Sequence, residues 1–330
     1  MPEVSVIIPV YNNERYIEEC VRSVQNQTFA DLEMIVINDG STDGSGEILE
    51  RILREDKRIR LFHQENKGAG AARNKGLDMA EGRYLIFVDG DDWIAPDYIE
   101  KLYTAAEERG SEMVICGFTC VTETGEVLRE IYPKEYRRFE GEECVFQISA
   151  VCSHFYRKSL WDRYGMRFSA KERGEDMPVS LFFGAVCDKI STIISCGYMY
   201  RQHSGSAMHN FRGLRQFFLP LKSLEETIQK IEKTGISNSP EFYELFVLRI
   251  LSTCFFQLAP GASRERTKEL ADYITRILHT YFPDYSKNPK AGLFKGAEVP
   301  FVQRAAVKVL IFLVRTGGIR FAACLMGRKE

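Results

Sequence analysis

Strong net charge, paired-cysteine motifs, long apolar runs and internal repeats are all missing from this sequence, and each absence closes a class of function. Lys plus Arg number 44 against 46 Asp plus Glu, a formal net charge of -2. No global basic field invites nucleic acid, and no nucleic-acid partner is expected. The nine cysteines include no CxxC pair. An odd count without that spacing fits a reducing compartment better than a disulfide framework, with Cys20 and Cys116 read as core fillers. No segment supplies the roughly 20 uninterrupted apolar residues that a spanning helix needs. The start, MPEVSVIIPVYNN, lacks a basic leader and breaks its short apolar run with a proline, so it is expected to be a first strand and not a signal or an anchor. These readings predict a cytosolic protein unless its surface holds it to a membrane.

What is present is the composition of an ordinary globular chain, 45% hydrophobic and 27% charged over 330 residues. That length allows one large core with additions, or two domains. From Val4 to about Arg109 apolar strands alternate with amphipathic helices. Val4 to Pro9, Met34 to Ile37, Ile59 to Phe62 and Tyr84 to Val88 are continuous apolar or β-branched runs, the signature of strands covered on both faces. Ile17, Cys20, Val21 and Val24 recur at i, i+3, i+4 and i+7, and Ile48, Leu49, Ile52 and Leu53 form a second stripe. Such repeated units predict an α/β fold with a mostly parallel sheet flanked by helices.

After Ser111, MVICGFTCVTETGEVLREIY reads as a strand and an antiparallel excursion turning at Thr124 and Gly125. Gly197 to His209 is loop-rich. From about Gly213 to Phe282 the pattern is helical, with breaks near Gly235 to Pro240 and Pro260 to Ser263. The expected layout is an α/β domain over 1–210, divided at 110, then a helical extension over 211–290 and a basic amphipathic helix over 291–330.

The stretch NDGSTDGSGEILE places Asp39, Ser41, Asp43, Gly44 and Glu50 on ligand and turn positions of a calcium-binding EF-hand loop. Such a loop needs an entering helix, whereas the strand-like EMIVIN precedes this one, so the match is rejected on context. Ligands of open α/β sheets bind beyond the carboxyl ends of the strands. Asn12 and Asn13 follow the first strand, Asp39 the second, and Asp89 and Asp91 the fourth. In YLIFVDGDDW, Asp89 and Asp91 point the same way if the chain stays extended, and two such carboxylates can share one hard divalent cation. The alternative is a solvated acidic turn capping the helix that starts near Pro96.

VSVIIPVYNN, INDGSTDGS, NKGAGAARNKGL, FVDGDDW and GEDMPVSLFF occur in this order. Together they resemble the glycosyltransferase family 2 proteins with a GT-A fold, over about residues 4 to 206, and the resemblance implies a catalytic domain over 1–210 with a nucleotide-sugar-binding half over 1–110 and an acceptor-binding half over 111–210. The resemblance implies an inverting, metal-dependent glycosyltransferase of the bacterial polysaccharide type. Its donor would be a nucleoside-diphosphate sugar, a UDP-sugar in the first instance, and its acceptor a hydroxyl of a glycan or lipid-linked glycan. Carried over residue by residue, Pro9 and Tyr11 would line the base pocket, Glu14 would help close it, and Asp39 would accept a hydrogen bond from base or ribose. Asp43 would cap the next helix, and Arg73 would reach the base or phosphates. Asp91 would coordinate Mg²⁺ or Mn²⁺, with Asp89 sharing the ion or holding the ribose and Asp92 supporting the turn. Asp176 would be the general base, beside Glu175 at the start of a helix where simple capping is the alternative. His154, Glu175, Arg201 and His203 would contact the acceptor or the diphosphate, although His154 can equally be a packing residue.

NKGAGAARNKGL also begins like a dinucleotide fingerprint, but Arg73 stands where its third glycine belongs and the segment follows the third strand, not the first. A sugar nucleotidyltransferase would carry a glycine- and basic-rich triphosphate loop near its start, which VSVIIPVYNN does not offer. A catalytically silent nucleotide-sugar-binding scaffold is opposed by DGDD and GED. At the far end, seven Lys or Arg against two Glu from Ala291 to Glu330 make the tail basic. Arg304, Lys308 and Arg315 fall near one helical face, and Val307, Leu310, Ile311 and Val314 spread over the rest. A helix of that kind is expected to lie on the cytosolic face of a membrane as a peripheral anchor, or else to dock on the protein's own core or on a second copy in a homo-oligomer.

Overall fold

The structure, a computed structural model, describes residues 1–133, 150–170, 172–203, 219–235, 239–292 and 301–328. Three parts of the sequence reading lie outside the described residues: the loop over 204–209, the start of the helical stretch over 213–218, and the tail segment 293–300. The chain forms two compact units, Met1–Lys171 with Cys187–Gln202, and Glu172–Val186 with His203–Glu330. Residues 172–186, which the sequence reading groups with the acceptor-binding half, cluster with the C-terminal helices.

The first unit is built on β1 (Val4–Val10), β2 (Leu32–Asp39), β3 (Ile59–Gln64) and β4 (Tyr84–Phe87), the four strands expected from their apolar runs. β1 and β2 are buried along their full length, as an unbroken β-branched run requires. After β5 (Trp93–Ile94) come β6 (Met113–Ile115), β7 (Phe118–Val121), β8 (Val127–Ile131), β9 (His154–Arg157), β10 (Ile190–Thr192) and β11 (Tyr198–Arg201). The main sheet runs β10-β6-β9-β4-β1-β2-β3, parallel throughout except where β9 lies antiparallel between β4 and β6. A second sheet runs β5-β11-β7-β8. Its β7–β8 hairpin is the excursion expected after Ser111, with Gly125 at φ 90° in the turn.

The helices of this unit are α1 (Ile17–Gln25), α2 (Ser45–Leu53), α3 (Ala69–Met79), α4 (Tyr98–Arg109) and α5 (Lys158–Tyr164). Ile17, Cys20, Val21 and Val24 of α1 are fully buried, so the helical spacing read from sequence does mark the core face. α3 reaches its place differently. It has no stripe of large apolar residues, and its glycines let backbone approach backbone. A Cβ on Gly76 would lie 2.3 Å from Ile7 Cγ2 in the central strand, and one on Gly70 would lie 2.0 Å from the Ser169 carbonyl oxygen. Gly70, one of the two glycines that mimic a dinucleotide fingerprint, is therefore a packing residue.

The second unit contains α6 (Asp176–Val186), α7 (Leu221–Thr234), α8 (Pro240–Thr253), α9 (Arg264–Tyr281), α10 (Phe301–Arg315) and α11 (Ile319–Met326). The predicted breaks fall where the chemistry demands them. α7 ends on Gly235 at φ 64°, α8 opens with Pro240 at its first turn, and the Ser263 hydroxyl accepts the Arg266 N–H to start α9.

Gly76→Ala should destabilise the protein by about 1–3 kcal/mol through overpacking against Ile7, less the gain of about 1 kcal/mol in helix propensity. Urea unfolding measures this. Unchanged or raised stability would mean that α3 can move off the sheet.

Candidate donor and metal site

β4, β1, β2 and β3 lie side by side and parallel, so the loops at their carboxyl ends share one rim of the sheet. The first two loops are zipped together by hydrogen bonds. Asn12, at φ 53°, donates its N–H to Ser41 Oγ (3.0 Å) and accepts the Thr42 N–H on Oδ1 (2.8 Å). Asn13 N–H donates to Ser45 Oγ at 2.9 Å. Glu14 donates its N–H to Asp43 Oδ2 (3.0 Å), and its carboxylate accepts the Gly44 N–H (2.8 Å). Asp43 Oδ1 also accepts the N–H of Ser45, the first residue of α2, at 3.0 Å, a turn bond just ahead of the helix, whereas Gly44 and not Asp43 occupies the N-cap position. The EF-hand-like loop thus follows a strand, and its oxygen side chains bind backbone N–H groups. Tyr11, 47% exposed, extends past this zipper beside buried Pro9.

Asp39 is 2% exposed. Its Oδ1 accepts Gln64 Nε2 (2.7 Å) and the Lys67 N–H (2.9 Å), and its Oδ2 accepts the Gly68 N–H (2.8 Å). One carboxylate therefore fixes the loop between β3 and α3 from the end of β2. A carboxylate has about four acceptor positions, so these three bonds leave room for one ligand donor.

The end of β4 carries the acidic turn. Tyr198 Oη on β11 accepts the Asp89 N–H (3.1 Å) and donates to Asp92 Oδ2 (2.7 Å), while the Arg201 N–H donates to Asp92 Oδ1 (2.8 Å). Asp92 is buried, and burial together with the charges of Asp91 and Asp89 pushes its carboxyl well above the usual carboxylate range. The Arg201 guanidinium lies between the rings of Trp93 (4.3 Å) and Tyr16 (4.8 Å). It donates to the Asp91 carbonyl (2.8 Å), the Glu123 carbonyl (2.7 Å) and the Glu19 carboxylate. Arg73, 6% exposed, donates to Asp89 Oδ1 at 2.7 Å and lies over the Phe168 ring.

Of the residues singled out in the sequence, the structure brings Pro9, Tyr11, Glu14, Asp39, Arg73, Asp89 and Asp91 to this rim of the first unit. Glu14 acts on the loop zipper. Arg73 is not a surface arginine but a buried partner of Asp89. Arg201 grips the acidic turn from below, its donors engaged by protein acceptors. His154 is fully buried in β9 with Nδ1 2.8 Å from Tyr156 Oη, so of its two expected roles the structure supports packing. Glu175, Asp176 and His203 belong to the second unit, with Asp176 as the first residue of α6. Tyr198 was missed, because only tertiary contact shows that the tyrosine of a late strand reaches an aspartate 106 positions earlier.

The donor set suits Mg²⁺ or Mn²⁺. Asp89 and Asp91 are half-buried oxygen donors, and the Cys20 thiol is pushed up first by its burial and then by the charges of Asp92, Asp91 and Asp89. A dication relieves such a field. Among the described residues no group of three or more His, Cys, Asp or Glu side chains forms a metal cage. One or two carboxylates completed by water and ligand phosphates are a usual arrangement for Mg²⁺.

The family model described as glycosyl transferase family 2 matches residues 5–163. The chain is 43% identical over 270 residues to the uncharacterized glycosyltransferase YibD of Escherichia coli, covering 76% of this chain and 78% of that one. It is 35% identical over 216 residues to the uncharacterized glycosyltransferase EpsJ of Bacillus subtilis, covering 62% and 63%. The matches span 64% and 63% of the lengths of the first curated relatives. Among solved structures, residues 1–349 of S. aureus TarS in complex with UDP-GlcNAc superpose with a TM-score of 0.71 at 19% identity, covering 96% of this chain and 92% of that one. That likeness bears out the GT-A architecture, and the level of identity to YibD bears out the resemblance carried by the five ordered motifs. The chain belongs to glycosyltransferase family 2.

Proposed function

We propose that this protein transfers a sugar from a nucleoside-diphosphate sugar, first of all a UDP-sugar, to a hydroxyl of a glycan or lipid-linked glycan, with inversion at the anomeric carbon. Synthesis of cell-surface polysaccharide at the cytosolic face of the membrane is the setting that suits such an acceptor. The observation that carries the reading is the shared rim of the parallel sheet, where exposed Tyr11, anchored Asp39 and the Asp89–Asp91 pair stand at the ends of adjacent strands. The UDP-GlcNAc complex of TarS, with the same fold, supports the choice of donor.

In this reading the Tyr11 ring stacks on the base, and the remaining acceptor position of Asp39 takes a donor from base or ribose. Asp91 and Asp89 would hold a divalent ion, which would supply Lewis-acid stabilisation of the departing diphosphate. Arg73 orients Asp89, and Tyr198 with Arg201 fixes the backbone from which Asp91 projects. Asp176 takes the proton of the acceptor hydroxyl, which attacks from the face opposite the nucleotide. No covalent intermediate forms.

Asp176→Asn should leave Mn²⁺-dependent stabilisation by a UDP-sugar nearly intact while lowering turnover by about 10²- to 10⁴-fold. Transfer at the unmodified rate would overturn the base assignment. Asp91→Asn should remove both transfer and the metal-dependent part of the melting-temperature gain, which for a donor at 100 times its Kd corresponds to about 2.7 kcal/mol. An undiminished gain would move the metal elsewhere. Tyr198→Phe leaves the Asp89 N–H and Asp92 Oδ2 without this partner and should cost about 1–3 kcal/mol in denaturant unfolding. It should also raise the Mn²⁺ concentration needed for half-maximal rate. A shift in stability with no change in metal requirement would make Tyr198 purely structural.

A further inference from the structure

The sequence assigns α10 a basic face and an apolar remainder, but the structure divides the apolar residues in two. Val307, Leu310, Ile311 and Val314 are buried, and α10 packs on α8 with this face. The other apolar residues, Phe301, Val302, Val309 and Phe312, point outward. At 3.6 residues per turn, Arg304, Lys308 and Arg315 fall along one flank of that outward face, next to Phe301 and Phe312. α11 repeats the division. Ile319 and Ala323 are buried, the Ala323 carbonyl accepts the Thr267 hydroxyl of α9 at 2.8 Å, and Arg320 pairs with Asp272 of α9 at 3.2 Å. Phe321 and Leu325 remain 71% and 70% exposed.

A helix that needs only one apolar face to dock on its own protein has no folding reason to carry large apolar side chains on the opposite face. Soluble surfaces scatter such residues singly, whereas here they recur along two consecutive helices bordered by arginine and lysine. No single helix among the described residues is long and apolar enough to cross a membrane, and α10 and α11 meet at a bend of 119°. By length and composition the bent pair could form a broken span or a re-entrant loop, but each helix buries one face within its own unit, and that suits the pair to lying in an interface.

We propose that the outward face of α10 and α11 is a docking surface for an anionic lipid bilayer. Phe301, Phe312, Phe321 and Leu325 enter the headgroup boundary, and Lys308 and Arg315 pair with lipid phosphates. Charge selects this occupant: the segment from 291 to 330 holds seven Lys or Arg against two Glu while the chain as a whole is at -2. The buried face explains how the anchor stays attached to the second unit when the outer face is in lipid. The inference rests on the reading of an acceptor at a membrane, but lipid binding reports on it without any sugar transfer.

The test mixes the full chain with sedimentable vesicles of phosphatidylcholine, with and without phosphatidylglycerol. Binding should require the anionic lipid and weaken as salt is raised. The pair Phe312→Glu and Phe321→Glu, and separately the pair Lys308→Gln and Arg315→Gln, should each weaken it by roughly tenfold or more, with melting temperature and transfer to a soluble acceptor unchanged. Failure to sediment with either vesicle, or unaltered binding by both variants, would overturn the proposal. So would a concentration-dependent dimer that Phe312→Glu dissolves, since the face would then belong to a second copy. Intact vesicle binding with no transfer from any nucleotide sugar would instead count against the catalytic reading alone.

Discussion

Three aspartates within four residues at the mouth of a buried strand are the constraint around which the first unit is organised. Carboxylates this close repel one another, and Asp92 is taken out of water altogether. The fold meets that cost with donors drawn from distant parts of the chain. Arg73 comes from α3, and Tyr198 and Arg201 come from a strand of the second sheet. The small sheet is therefore more than an appendage to the large one. Its β11 holds the acidic turn in a shape that leaves Asp89 and Asp91 at the rim.

The same economy recurs at the neighbouring strand ends. Side chains that look like ligands in the sequence are mostly committed to backbone N–H groups, which locks loops that would otherwise move relative to one another. Asp39 is the clearest case, since a single buried carboxylate positions the Lys67–Gly68 segment and so the start of α3. Preorganisation of this kind means that a donor would meet fixed groups and would spend little binding energy on ordering them. In the second unit the division of labour is different: α10 and α11 each use one apolar face for attachment and leave another outside.

Much of this was legible in the chain. Continuous β-branched runs announced β1 to β4, the i, i+3, i+4, i+7 spacing announced α1, and Gly235 with Pro240 announced the break between α7 and α8, because these signals act over a few residues and do not depend on distant partners. Two features escaped for a common reason. β9 is inserted antiparallel between β4 and β6, which no local pattern dictates. Glu33 lies just ahead of the Met34 to Ile37 run, yet it belongs to β2 and is buried and bound by Ser5, Arg60 and the Glu81 N–H, contributed by three other segments.

Sequence alone settled the α/β class, the strand ends at which polar groups gather and the family, since backbone propensity, periodicity and ordered motifs are all written in neighbouring residues. Only the tertiary structure decided that Arg73 is a buried partner of Asp89, that Arg201 and Tyr198 grip the acidic turn, that His154 packs, and which of the two apolar faces of α10 looks outward. Each of those outcomes depends on which side chains meet across large separations in the chain, and hydrogen-bond distance and burial exist only once the chain has closed on itself.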